Sequence, residues 1–412
     1  LDHPSDNGID RQAEGPGNGP ERPGPRIGPA LVLIVVLAFG VRLAYQIETR
    51  EVPTVRHLIG DAAGYYEWAQ TIAGGDWLGT ESFYQAPLYP YVLGVWLKLV
   101  GPSVGGIRLM QALWGAVAAG FLAYGTGRLL GRRAGIIAGM MLALYAPAVF
   151  FDGIVQKASL ACLLICAMVA AMSRLESPRH LWRAALIGVL TGLLVLTREN
   201  ALIWLIVLAV WVWWPGTGPV CWRTLAAYAI GALLILGPIA ARNRVVGGEW
   251  SLSTFQAGPN FYIGNHHGAD GRYQPLVRGH ESPAFERHDA TELARQETGE
   301  ALSPREVSRF WMSRAFDDIR ADPAWWLGLM GRKLLLVWNR YEVSDVESLY
   351  VHRDDSIVLS VLTRVWHFGL LAPLALVGVV STWGQRRRLW IFYALVLSMA
   401  LAVALFYVMA RY

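Results

Sequence analysis

The chain has 412 residues, of which 54% are hydrophobic and only 16% charged, well below the about 25% charged residues of soluble domains. Its mean hydropathy is +0.35 and the apolar residues come in long blocks, which excludes an ordinary soluble enzyme and places the chain in a bilayer. The formal net charge of +5 does not indicate a nucleic-acid partner, because the arginines form short clusters between apolar blocks rather than a basic stripe with interleaved aromatics.

In chain order, residues 1–26 are rich in Pro and Gly and lack periodicity, which predicts a disordered tail. Arg22 and Arg26 flank the first apolar block and suggest that this tail is cytoplasmic. No cleavable signal peptide is read, and the opening Leu1 suggests a natural start further upstream. Blocks 27–45, 104–130, 135–151, 181–196 and 225–241 each approach the length needed to cross ~30 Å of hydrocarbon. If the arginine-dense loop 128–133 is inside, then so are 174–183, the loop around Arg223, and 386–388. The other side receives 42–86, 152–157, 198–200, 242–322 and 341–355. This assignment requires 87–100 and 324–338 to be interfacial or partly inserted helices on the outer face. Many of the 18 Trp residues sit near block ends, as expected of rings that prefer the interface.

The organisation expected is a tail (1–26), a transmembrane core (27–241) with an outer loop (47–86), a long outer segment (242–323), and C-terminal membrane helices (324–412) that stop short of completion. Within the long segment, Ser303, Pro304 and Glu306 spell an N-cap, an N1 proline and a capping-box partner for a helix running to about Arg320. Residues 289–296 read as a shorter helix closed near Gly299, and Asp322 with Pro323 starts the next one. Residues 245–275 read as an ordered loop, and no repeat of fixed period is found. Cys162, Cys166 and Cys221 give no disulfide framework and read as small buried hydrophobes.

The most informative stretch is Gly60-Asp61-Ala62-Ala63-Gly64-Tyr65-Tyr66-Glu67-Trp68-Ala69-Gln70, followed by Gln85-Ala86-Pro87-Leu88-Tyr89-Pro90-Tyr91. A carboxylate opens a short amphipathic helix, Gly74 and Gly75 close it, and the chain returns to the membrane. This arrangement resembles the GT-C glycosyltransferases, in particular protein O-mannosyltransferases and bacterial lipid A aminoarabinose transferases, best over residues 42–200. The resemblance implies an all-α bundle of about nine to eleven membrane helices in a bacterial inner membrane, with the active site on the outer face. It implies a polyprenyl-phosphate sugar donor, a protein, lipid or glycan acceptor, and inverting transfer with Asp61 as the general base. Two departures stand out. Gln85-Ala86 occupies the place where lipid A transferases have a basic phosphate contact, and Ala410-Arg411-Tyr412 starts an Arg-Tyr-Arg-like motif that the chain does not finish.

Other residues carry alternative readings. Asp61 could be only an N-cap after Gly60, and Glu67, about two turns on, is expected to face solvent. Asp152 and Lys157 could pair across two helix ends; alternatively Lys157 contacts the donor phosphate and Asp152 positions the acceptor. Arg198 ends a Gly/Leu-rich helix and suits a phosphate, or pairs near Glu199. Arg242, Arg244 and Arg411 are further donor candidates, and Tyr65 and Tyr89 are placed on the acceptor side. His266 and His267 are adjacent in a loop and make no metal site by themselves. No metal or other cofactor is indicated, although a divalent ion is compatible with the chemistry. Two rivals remain: a transporter or flippase of lipid-linked sugars, expected to show mid-span charges and inverted repeats, and a surface-polysaccharide polymerase or ligase, expected to hold its key charges in a late large loop.

Overall fold

The computed structural model describes residues 28–175, 181–214, 220–252, 254–280, 283–344 and 346–410. The expected tail and Arg411 lie outside them. Among the described residues every regular element is helical and there is no strand.

The first half runs α1 (Gly28–Glu48), α2 (Pro53–Arg56), α3 (Gly60–Ala73), α4 (Leu88–Val100), α5 (Val104–Leu130), α6 (Arg132–Ala143), α7 (Ala146–Gly153), α8 (Ala158–Met172) and α9 (Leu181–Val195). After a 3-10 turn at Glu199–Ala201 come α10 (Leu202–Trp213) and α11 (Trp222–Gly247). The outer segment holds α12 (Ala257–Asn265), α13 (Pro283–Thr298) and α14 (Pro304–Ala321), then α15 (Pro323–Val337). The chain continues with α16 (Leu349–Asp354), α17 (Ile357–Val365), α18 (Phe368–Ser381) and α19 (Arg386–Leu405).

Among the described residues five segments are long and apolar enough to cross a membrane: Gly28–Glu48, Val104–Leu130, Trp222–Gly247, Ile357–Ser381 and Trp383–Leu405. The pair α6–α7 makes a sixth if its bend lies within one span, and four further apolar helices have 10–17 residues. The expected nine to eleven membrane helices are therefore reached only by including the short ones. At 13 residues, α4 is roughly 20 Å long and falls short of the hydrocarbon thickness. Large apolar side chains such as Val32, Leu33, Leu233, Leu234, Val377 and Val380 point outward, as lipid-facing helices require. The inward faces use small residues: Gly188 of α9 lies on the Tyr228 carbonyl of α11, and Gly231 of α11 on the Ala185 carbonyl, leaving no room for a Cβ at either.

Two expectations need correction. Block 135–151 is not one continuous helix but α6 and α7, bent by 50°. Pro147 stands in the first turn of α7 and has no N–H to give the Ala143 carbonyl. Arg42 Nη1 donates to that carbonyl instead, at 3.1 Å. Residues 245–275 are not all loop, because α12 forms within them. Its glycines disfavour a helix by propensity, but Gly258 sits directly on the Ser308 carbonyl of α14, so tertiary packing decides.

The start signals are as read. Ser303 and Glu306 form the reciprocal capping box with Pro304 in the first turn of α14. Asp322 Oδ1 accepts from Trp325 N at 3.0 Å to start α15. The helix closed by Gly299 (φ 74°) is longer than expected, beginning at Pro283. Cys166 is buried, whereas Cys162 and Cys221 are only partly so.

Candidate active site

Helix α3 opens with Gly60 at φ 55°, and Val346 of the loop before α16 closes against the side where a Cβ would stand. Ile59 is the N-cap residue, so Asp61 is not the cap; it lies in the first turn, where the helix dipole favours a negative charge. Tyr65 is one turn on, on the same helix face. Asp61 and Tyr65 are both buried, while Glu67 is exposed.

Tyr65 meets Tyr89 of α4 edge to face, with centroids 5.3 Å apart. The Tyr89 hydroxyl donates to Gln111 Oε1 on α5. Lys157, at the junction of α7 and α8, sets its Nζ 5.9 Å from the Tyr65 ring centroid. The same Nζ is 4.0 Å from Glu199 Oε2, and Glu199 Oε1 accepts from Gln256 Nε2 at 2.6 Å. Arg198, also buried, immediately precedes Glu199 at the start of the 3-10 turn. Four distant segments thus bring Asp61, Tyr65, Tyr89, Lys157 and Arg198 into one neighbourhood. Glu199 and Gln256 complete it. Sequence reasoning had not assigned these two a role, and a carboxylate three residues before an apolar helix was the one available signal.

Asp152 belongs to a different cluster. Arg42 Nε donates to its Oδ2 at 2.6 Å, with both side chains buried. Arg42 also donates to the Ala38 and Ala143 carbonyls, each at 3.1 Å. Gly115 of α5 makes room for this pair, since a Cβ there would collide with both side chains. The sequence offered a clue in an arginine near the end of the first apolar block, which needs a counter-ion.

The remaining candidates sit apart in their contacts. Arg242 donates to the Leu78 and Glu81 carbonyls, the latter at 2.6 Å. It also stacks 3.8 Å from the Phe83 ring centroid, tying down the end of the first outer loop. Arg244 donates to the Gly248 carbonyl at 2.5 Å and is exposed. His266 stacks on Tyr262 and His267 on Trp325. Among the described residues no group of three or more potential metal ligands occurs. Near the Val346 contact, Glu342 is largely buried; its Oε1 has no hydrogen-bond partner, and burial pushes its carboxyl up to about 7. His352, ten residues further on, is buried 2.8 Å from Glu347 Oε2.

Residues 84–241 match the family model described as dolichyl-phosphate-mannose-protein mannosyltransferase. The resemblance to these transferases is borne out over that stretch. The match includes Tyr89, Asp152, Lys157, Arg198 and Glu199, and begins after Asp61 and Tyr65. Two solved structures are similar at low level. The crystal structure of ArnT from Cupriavidus metallidurans bound to undecaprenyl phosphate shares 16% identity at a TM-score of 0.44, covering 92% of this chain and 76% of that one. The Archaeoglobus fulgidus oligosaccharyltransferase in complex with Zn and sulfate shares 16% identity at 0.41, covering 91% of this chain and 48% of that one. No curated protein matches the chain by sequence.

Proposed function

We propose that this chain is an inverting glycosyltransferase that moves a sugar from a polyprenyl-phosphate donor to an acceptor hydroxyl on the outer face of a bacterial inner membrane. The observation that carries the reading is the convergence on Tyr65: Asp61 lies one turn before it on α3, and Lys157 Nζ lies 5.9 Å from its ring. A carboxylate and an ammonium beside one tyrosine supply the two groups that such a transfer uses.

The step balances as a single displacement. Asp61 takes the proton of the acceptor hydroxyl as its oxygen forms a bond to the anomeric carbon. The bond from that carbon to the phosphate oxygen breaks, and the electron pair leaves with polyprenyl phosphate. Attack opposite the leaving group inverts the centre. The phosphate is a good leaving group, so one positioned base suffices and no general acid is required. Lys157 is assigned to the departing phosphate with Arg198 nearby, where a guanidinium fork binds two oxygens. Tyr65 and Tyr89 form the wall between base and cation. Asp152 is assigned a positioning role through Arg42, which holds the α6–α7 bend leading to Lys157.

The family resemblance over 84–241 supports a lipid-linked donor, and a donor confined to the bilayer explains why the enzyme is embedded in it. The flippase alternative calls for inverted repeats, and the sequence has no half-to-half symmetry. The decisive experiment incubates purified protein with radiolabelled polyprenyl-phosphate sugars and compares wild type with Asp61→Asn. Transfer is expected to collapse in the variant with folding retained; near-normal turnover would favour a flippase or polymerase.

A further inference from the structure

The turn that carries Lys157 is not held by regular structure. Helix α7 ends at Gly153, Ile154 is extended, and Lys157 is the N-cap residue of α8. A helix end leaves carbonyls without intrahelical partners. Here four consecutive carbonyls accept from buried side chains of other elements. Ser159 Oγ donates to Phe151 O at 3.0 Å, and Gln46 Nε2 to Asp152 O at 3.2 Å. Arg108 Nε donates to Gly153 O at 2.7 Å, and Gln111 Nε2 to Ile154 O at 2.6 Å. Gln111 Nε2 also lies 3.3 Å from Asp152 O. Arg108, Gln111 and Gly115 fall at i, i+3 and i+7 on one face of α5, the face that meets α7.

Gln111 differs from the other donors because its second half reaches the opposite side of the site. The Ile154 and Asp152 carbonyls can only accept, so the amide NH2 must face them and Oε1 must face α4. The Tyr89 hydroxyl is therefore the donor to Oε1. Tyr89 packs edge to face on Tyr65, and Lys157 Nζ lies 5.9 Å from the ring of that same Tyr65. The contacts close a circuit: Tyr65, Tyr89, Gln111, the Ile154 carbonyl, and the short stretch of chain on to Lys157. Gln111 and Tyr89 are both 0% exposed, so water does not stand in for either partner. The place requires an uncharged side chain with donors on one edge and an acceptor on the other, which is what an amide supplies. A buried polar network whose members are all met holds one geometry.

We infer that Gln111 is a positioning residue for the donor phosphate: it ties the Lys157 turn to Tyr89 and so fixes where the ammonium stands beside Tyr65. The inference rests on the transferase reading above, through the phosphate role of Lys157. Gln111 acts through Lys157 and does not itself touch the donor. Without the amide, the Ile154 carbonyl loses its donor and the turn is free to relax away from α4, carrying Lys157 with it.

The test is a double-mutant cycle on binding rather than turnover. The full chain in detergent is titrated with farnesyl phosphate, a short prenyl phosphate, as wild type, Gln111→Met, Lys157→Met and the double variant. Melting curves and gel filtration check that each folds. Gln111→Met is expected to raise the dissociation constant roughly three- to tenfold, about the effect of one neutral hydrogen bond, and Lys157→Met at least as much. In the Lys157→Met background the Gln111 change should add less than about twofold, because the ammonium it acts through is gone. Tyr89→Phe deletes one buried hydroxyl and leaves Gln111 on the carbonyls; it should give a smaller rise with the same loss of additivity, and it replaces Gln111→Met in the cycle if that variant does not fold. A wild-type dissociation constant in the folded variant, or effects that multiply when it is combined with Lys157→Met, overturns the inference while Lys157 keeps its role. If the wild type does not bind, or Lys157→Met binds as well as wild type, the phosphate assignment falls and the inference falls with it.

Discussion

Two buried charge pairs lie five residues apart in the chain, one at the last turn of α7 and the other at the start of α8, and they differ in kind. Arg42 and Asp152 meet at 2.6 Å, and their side chains are 1% and 4% exposed. Arg42 spends two further hydrogen bonds on backbone carbonyls, one of them orphaned by Pro147. Lys157 and Glu199 stand 4.0 Å apart, with Glu199 21% exposed, and Glu199 is held by Gln256 from the outer segment. The first pair is sealed and serves the architecture. The second is partly exposed at Glu199 and borders Tyr65, which lies one turn from Asp61 on α3. Burial of charge alone therefore does not separate the two pairs; the proposed function assigns the site to the pair that is looser, partly exposed and next to Tyr65.

The largest effect expected is on chemistry. Asp61→Asn should lower transfer by about 10²–10⁴-fold, the contribution typical of a general base, while its melting temperature stays within a few degrees of wild type. A radiolabel transfer assay beside a thermal scan reads both. The sealed pair should behave in the opposite way. Arg42→Met leaves Asp152 buried without its counter-ion and should cost about 3–5 kcal/mol of stability. Arg42→Met combined with Asp152→Leu should recover much of that loss, because no lone charge remains. Denaturant titration in detergent measures the two variants. A double variant no more stable than the single one would show that Asp152 has a role beyond its partner.

Lys157→Met probes the open pair. Removal of a charge-assisted contact worth ~1.5–3 kcal/mol should raise the KM for the polyprenyl-phosphate donor by roughly 10–100-fold, with less change in stability than Arg42→Met. An unchanged KM with a large drop in melting temperature would make the second pair architectural as well.

The sequence was most legible where structure depends on neighbours along the chain. The span 104–130 is found as read, and the Ser303–Glu306 box and the Asp322 cap are local hydrogen-bond patterns with fixed spacing. It was least legible where a distant segment decides. Pro147 was visible, but a proline can also be absorbed in a membrane helix, and the break depends on Arg42, 101 residues away from the carbonyl it caps. Helix α12 depends on the Gly258 contact with Ser308. The alternative of Asp61 as an N-cap was reasonable from Gly60-Asp61, yet the positive φ of Gly60 shifts the cap to Ile59. Asp61 was singled out by the family resemblance, Lys157 by its charge at an outer helix end, and Arg198 by both. That Lys157 reaches the ring of Tyr65, and that Glu199 and Gln256 join it, could come only from the folded chain.

Glu342, largely buried beside Pro147 and Phe150 of α7, tests whether an unpaired charge is tolerated there. Burial raises the Glu342 carboxyl from 4.5 to about 7, so the folded state holds this proton more tightly than the unfolded state does. Its stabilising contribution is complete below pH 4.5 and is lost as pH rises through about 7. Glu342→Gln should therefore flatten this part of the stability profile and raise the melting temperature at pH 8 relative to wild type. Identical pH profiles for the two proteins would place the ionised carboxylate in a solvated or paired environment.

The smallest effect belongs far from both pairs. Ser303 caps α14 through the Glu306 backbone N–H, and Glu306 returns the contact to Ser303 N at 2.9 Å. Ser303→Ala removes one half of this exchange and should cost about 1 kcal/mol, read as a modest fall in melting temperature. Ser303 also donates to Glu249 at 3.1 Å, so Ser303→Thr, which keeps a hydroxyl, should restore most of the loss. Donor KM should not move in either variant, because the cap lies in the outer segment and makes no contact with Lys157 or Glu199. If KM rises in Ser303→Ala in step with the stability loss, then the Lys157→Met result cannot be assigned to phosphate binding alone, and the distinction between the sealed and the open pair would have to rest on Asp61→Asn and Arg42→Met.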